Sequence, residues 1–190
     1  MALAWAAACG GTRPQAPAPE IPVAAATNRH TAADVKFMQH MIVHHAQALE
    51  MAKLVPARST RETMHQMAGR IDASQVAEIA RMRQWLEARN VPVADDRLHA
   101  GEHVHMPGMA SADELARLES LRGSEFDLLF LELMIRHHEG ALVMVRELFA
   151  TEGAANEAGL YMMAASIDAD QRAEIARMRG LLETFQRGSE

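Results

Sequence analysis

Histidine and methionine recur in this chain at spacings that suit a soft metal ion. Residues 37–51 read FMQHMIVHHAQALEM and residues 130–144 read FLELMIRHHEGALVM. In each stretch a methionine stands one helical turn before a histidine pair: Met41 before His44 and His45, Met134 before His137 and His138. Residues three or four apart are neighbours on a helix, about 5–6 Å between Cβ atoms. Each set is therefore expected to chelate one ion through a thioether and an imidazole, a donor pair that selects copper(I) or silver(I) over magnesium or calcium. Zinc sites are usually built from thiolates, several imidazoles or carboxylates, and no usable thiolate is present. Met51 and Met144 lie two turns beyond the histidines, roughly 10 Å away, where they serve a second ion or packing.

The elements that must position these groups form a duplication. Phe37, Met41, Ile42, His44, His45, Leu49 and Met51 recur between the two stretches at an offset of 93, and a second pair of blocks, IDASQVAEIARMRQWLE at 71–87 and IDADQRAEIARMRGLLE at 167–183, recurs at an offset of 96. The chain is read as two copies of a helix–helix unit. Caps delimit the helices: Thr31-Ala-Ala-Asp34 begins the first, Ser59-Thr-Arg-Glu62 is a capping box opening the second, and Ser111-Ala-Asp-Glu114 opens a third stretch. Pro56 is expected to stop the first helix, Asn90 and Pro92 the second, and Gly123-Ser124 to break the third stretch. Short links within each half and a longer one between halves predict an all-α, ferritin-like four-helix bundle.

Helical periodicity puts polar residues on faces that should be buried. Met41, His44, Ala48 and Met51 share one stripe; Met38, Ile42, His45 and Leu49 share the next. In the partner helices Gln75, Glu78 and Met82 share a stripe, as do Gln171, Glu174 and Met178. A buried carboxylate needs a partner, so Glu78 and Glu174 are expected to bond the histidines of the other helices. Met82 and Met178 are candidate further thioether ligands. The same pattern admits a metal-free reading, in which His–Glu pairs only fix helix register and Met fills gaps.

A third cluster lies in the connection between the halves. His99, His103, His105, Met106 and Met109 fall within HAGEHVHMPGM, expected to be a loop able to wrap an ion. The domain plan is thus a signal-like segment at 1–9, a Pro/Ala-rich disordered linker at 10–30, and a bundle at 31–190. Within the bundle, repeat one spans 33–89, the His/Met linker 90–110 and repeat two 111–187. Ala7-Ala8-Cys9 resembles a bacterial lipoprotein processing site, which predicts an exported, periplasmic-side protein with a lipid anchor at Cys9.

Composition fits this plan. Of the 190 residues 49% are hydrophobic but only 4% aromatic, against 14 Met, which favours helices over a β-sandwich. A net charge of −6 argues against a nucleic-acid binder driven by overall basicity, and one cysteine excludes a disulfide framework.

The doubled M-I-x-H-H, at Met41–His45 and Met134–His138, and the paired Q-x-x-E-I-x-x-M blocks resemble the domain of unknown function 305 family over most of residues 34–183. The resemblance implies a ferritin-like four-helix bundle, often exported. It also implies copper or silver binding through His and Met in some members, with a link to copper resistance. Carried over by position, it favours Met41, His44, His45, Met134, His137 and His138. The two copies depart from each other where His40 aligns with Leu133 and where Ala46-Gln47 aligns with Glu139-Gly140.

Enzymatic readings are weaker. A di-iron site needs Glu-x-x-His on two helices, and Glu62-Thr-Met-His65 is the only match. His138-Glu139 does not continue to H-E-x-x-H, because Leu142 stands at the second His position. The expectation is a non-enzymatic copper(I) protein, with silver(I) as a second candidate ion. It acts as sink or chaperone, with a copper-handling protein as partner; a metal-free scaffold module is the alternative.

Overall fold

The computed structural model describes residues 30–93 and 106–187, and the signal-like, linker and His99 to His105 readings lie outside them. The described residues form six helices: α1 Ala32–Ala52, α2 Val55–Arg58, α3 Glu62–Glu87, α4 Ala112–Ser120, α5 Gly123–Ala150 and α6 Ala158–Arg187. The four long ones are the helices of the bundle, α1 packing on α3 and α5, and α5 on α6.

Capping boxes form at Thr31 and Ser111, two of the three expected helix starts. The Thr31 hydroxyl accepts from the Asp34 amide at 3.1 Å while the Asp34 carboxylate accepts from the Thr31 amide at 2.8 Å, and Ser111 and Glu114 repeat this reciprocal pattern. Each box satisfies two amides that a helix start would leave bare. The third does not form: Arg61 is the N-cap of α3, and the Ser59 hydroxyl accepts from the Arg61 amide at 3.2 Å instead. Pro56 is not the stop of the first helix either. α1 ends at Ala52, and Pro56 sits in the first turn of α2, where a missing amide hydrogen costs nothing. Gly123 is the first residue of α5 rather than the end of α4; its φ of +61° is left-handed and suits glycine.

Two apolar clusters fill the bundle. One takes Phe37 to Ile42 of α1, Met82 to Leu86 of α3, Ala141 to Leu148 of α5 and Leu160 to Ile167 of α6. The other takes Ala48 to Ala52, Met64 to Ile71, Phe126 to Ile135 and Ile175 to Phe185 of the same helices. The start of α1 thus meets the end of α3, and the start of α6 meets the end of α5, as antiparallel neighbours must. Between the clusters, at mid-height, every long helix contributes polar residues: His44, His45, Gln75, Glu78, His137, His138, Gln171 and Glu174, all buried.

Candidate metal centre

That polar layer is built twice from one plan. His45 Nε2 donates to Glu78 Oε2 at 2.6 Å, and His138 Nε2 donates to Glu174 Oε2 at 2.6 Å. The carboxylates anticipated to need partners have found the histidines of the neighbouring helix. Ser74 Oγ donates to the other Glu174 oxygen at 3.0 Å, and the half-exposed Arg81 approaches Glu78 Oε1 at 3.9 Å.

The remaining two imidazoles meet each other. The ring centroids of His44 and His137 are 3.8 Å apart with planes tilted by 38°. His44 Nε2 lies 2.9 Å from the Pro107 carbonyl, which can only accept, so Nε2 carries the proton. Burial lowers the His44 pKa to about 3, with the neighbouring imidazoles His45 and His138 lowering it further and the Pro107 bond opposing. Neutral and tautomerically fixed, His44 keeps a lone pair on Nδ1. His137 is also pushed well below the usual histidine range, first by burial and then by His44, His138 and His45. The His44 carbonyl lies near enough to favour a proton on His137 slightly, yet neither ring nitrogen of His137 makes a well-formed hydrogen bond.

The layer is therefore unfinished. Nδ1 of His44, His45 and His138, both nitrogens of His137, both amide atoms of Gln75, Gln171 Oε1 and Glu78 Oε1 are buried without hydrogen-bond partners. Buried polar atoms are normally satisfied, and orphans concentrated in one layer point to a guest. Three of the histidines also have the outer arrangement of metal ligands: one ring nitrogen donates to a carboxylate or a backbone carbonyl, which orients the ring and leaves the other nitrogen available. Among the described residues no three His, Cys, Asp or Glu side chains are gathered to hold a metal ion, so a site of three donors here draws on a thioether.

A family model described as domain of unknown function (DUF305) matches residues 34–185. The chain belongs to this family. Among solved structures, a DUF305 fragment from Deinococcus radiodurans is 35% identical with a TM-score of 0.73, covering 82% of this chain and 98% of its own. A DUF305 protein of Streptomyces coelicolor named as secreted is 30% identical with a TM-score of 0.71, covering 81% and 94%. CopM in a Cu(I)-bound form is 25% identical with a TM-score of 0.63, covering 80% and 96%; CopM has also been solved in a Cu(II)-bound form. No curated protein matches the chain.

Within this DUF305 fold the expected site residues separate into three groups. His44, His45, His137 and His138 come together in one layer shared by both repeats. The four thioethers border the layer on opposite sides. Met41 and Met82 belong to one apolar cluster and Met134 and Met178 to the other, all four fully buried. Of the linker cluster, Met106 and Met109 are described and half-buried. The described end of the linker, residues 106–110, forms a strap pinned across α1 and α5. Gln47 holds the strap through both atoms of its amide, donating to the Ala110 carbonyl at 2.9 Å and accepting from the Ala110 amide at 2.8 Å. Gly140 makes room for it: a Cβ there would stand 1.9 Å from the Pro107 oxygen. The strap-holding roles of Gln47, Pro107 and Gly140 were missed from the sequence. The signal was the break in repeat symmetry, since Gln47 and Gly140 occupy aligned positions of the two copies.

Proposed function

We propose that this DUF305 protein captures and sequesters a soft monovalent ion in the cell envelope, copper(I) in its natural role and silver(I) as the analogue, with no bond chemistry. The observation that carries the reading is the buried layer of imidazoles whose outward nitrogens are tied down and whose other nitrogens lack partners. His44 and His137, whose rings meet, would hold the ion with a thioether from among Met41, Met82, Met134 and Met178, flanked by His45 and His138. A soft ion bound there would supply a positive charge beside the Glu78 and Glu174 carboxylates and partners for the orphaned nitrogens. The likeness to CopM, solved with copper bound, supports the choice of ion. The secreted Streptomyces neighbour and the lipoprotein-like Cys9 support an envelope location with a lipid anchor. Delivery to a copper-handling partner completes the proposal.

The test is an anaerobic titration of the purified protein with copper(I) against a chromogenic chelator. At least one ion per chain should be withdrawn, and His44→Gln with His137→Gln should abolish most of the withdrawal. A wild-type protein that takes no copper from a weak chelator overturns the reading. A metal-free scaffold is the second reading, favoured by the two His–Glu bonds, which would lock register unaided. It predicts no change in melting temperature with copper, whereas a ligand of the native state raises it.

A further inference from the structure

The buried layer has no direct opening: His44 is 0% and His137 1% exposed. An ion can reach it only where something moves, and a wide opening adjoins the layer at the strap. A half-open cavity of about 490 Å³ lies between α1, α5 and the strap, and its lining includes His40, Met106, Pro107 and Met144, with Lys36 and Glu147.

Three features connect this groove to the imidazoles. Pro107 lines the groove, and its carbonyl is the acceptor for His44 Nε2, so the strap is the wall between the two spaces. His40 precedes His44 by one turn of α1, and Met144 follows His137 by two turns of α5, so the donors continue from the groove toward the layer along both helices. The third donor, Met106, is carried by the strap itself. An imidazole and two thioethers in one groove make a donor set for a soft monovalent cation, while the opposite charges of Lys36 and Glu147 give hard divalent ions no net attraction.

We propose that this groove is the loading site for such a cation, which is held in passing by His40, Met106 and Met144 before the strap yields and admits it to the layer. The inference rests on the copper reading above. The cavity is far larger than an ion, which suits transient capture rather than storage. The strap is held by the His44 bond, the Gln47 clasp, the backbone packing on Gly140 and the buried Ala110, so opening it breaks a defined set of contacts.

The experiment is stopped-flow transfer of copper(I) from a chromogenic chelator to the full chain. Absorbance loss gives the uptake rate and its plateau the stoichiometry. His40→Gln, Met106→Leu and Met144→Leu are compared with Met162→Leu, an exposed methionine outside the groove, and each variant is checked for native melting. The groove variants should load about tenfold more slowly with an unchanged plateau, the scale of losing one supporting interaction at a metal site. The Met162 variant should load at the wild-type rate. Unchanged rates in all three groove variants, or a plateau that falls with the rate, would overturn the loading site while leaving storage in the layer intact. A wild-type chain that takes up no copper would instead overturn the functional reading and the loading site with it.

Discussion

His137→Leu should stabilise the metal-free protein while removing its copper affinity. The ring is 1% exposed and both of its nitrogens lack a well-formed hydrogen bond. A buried donor without an acceptor costs about 1–3 kcal/mol, and leucine carries no such group. The change of shape from a flat ring to a branched chain costs up to about 1.5 kcal/mol. The net expectation is a gain of about 1 kcal/mol, or a rise in melting temperature of about 2–4 °C for a chain of this size. The neighbouring position supplies the opposite sign. His45→Leu leaves the Glu78 carboxylate buried without its 2.6 Å partner, and breaking a buried pair in this way costs about 3–5 kcal/mol. Urea denaturation of the two variants beside the wild type reads both numbers, and copper(I) competition reads the function. The reasoning fails if His137→Leu loses more than about 1 kcal/mol, because the ring is then a packing element, or if the variant retains wild-type copper withdrawal.

The metal-free protein should also lose stability on mild acidification. His44 and His137 stay neutral in the fold at pH 5, whereas an unfolded chain protonates both below about 6.5, so the stability is complete above that pH and declines as pH falls toward 3. Each ring contributes about 1.4 kcal/mol per pH unit, or about 4 kcal/mol for the two between pH 6.5 and 5; denaturation curves at pH 7.5 and 5 check this, and equal midpoints would show that the rings are not buried neutral. Gly140→Ala should cost about 1–3 kcal/mol by pushing the strap off α5, read by denaturation and by loss of the His44 to Pro107 bond in the imidazole nitrogen spectrum.

Much of this architecture was legible because it rests on local rules repeated twice. The period of the apolar residues located four long helices, and the residues at Thr31 and Ser111 located the starts of α1 and α4, since a cap needs only residues three apart. The buried Glu78 and Glu174 announced partners, and only the histidines of adjoining helices were available. What failed depended on distance in sequence. Ser59 with Glu62 has the letters of a capping box, but the turn of α2 carries the chain so that Arg61 becomes the cap. The crossing of the strap between Gln47 and Gly140 joins residues 63 positions apart, and no local pattern encodes it.

The same limit applies to the two histidine motifs. Met41 with His44 and Met134 with His137 look like separate chelates, because each is complete within one helical turn. Antiparallel packing of α1 on α5 at mid-height brings the two motifs face to face, with the His44 and His137 ring centroids 3.8 Å apart. Duplication then explains the pairs, His45–Glu78 and His138–Glu174, which each copy makes with its own second helix. It does not explain the strap, which crosses once and treats the copies differently: it bonds His44 and leaves His137 without a hydrogen-bond partner. The two repeats supply a nearly symmetric floor of imidazoles, and the single linker breaks that symmetry by fixing the tautomer of one ring and leaving the other without a well-formed hydrogen bond.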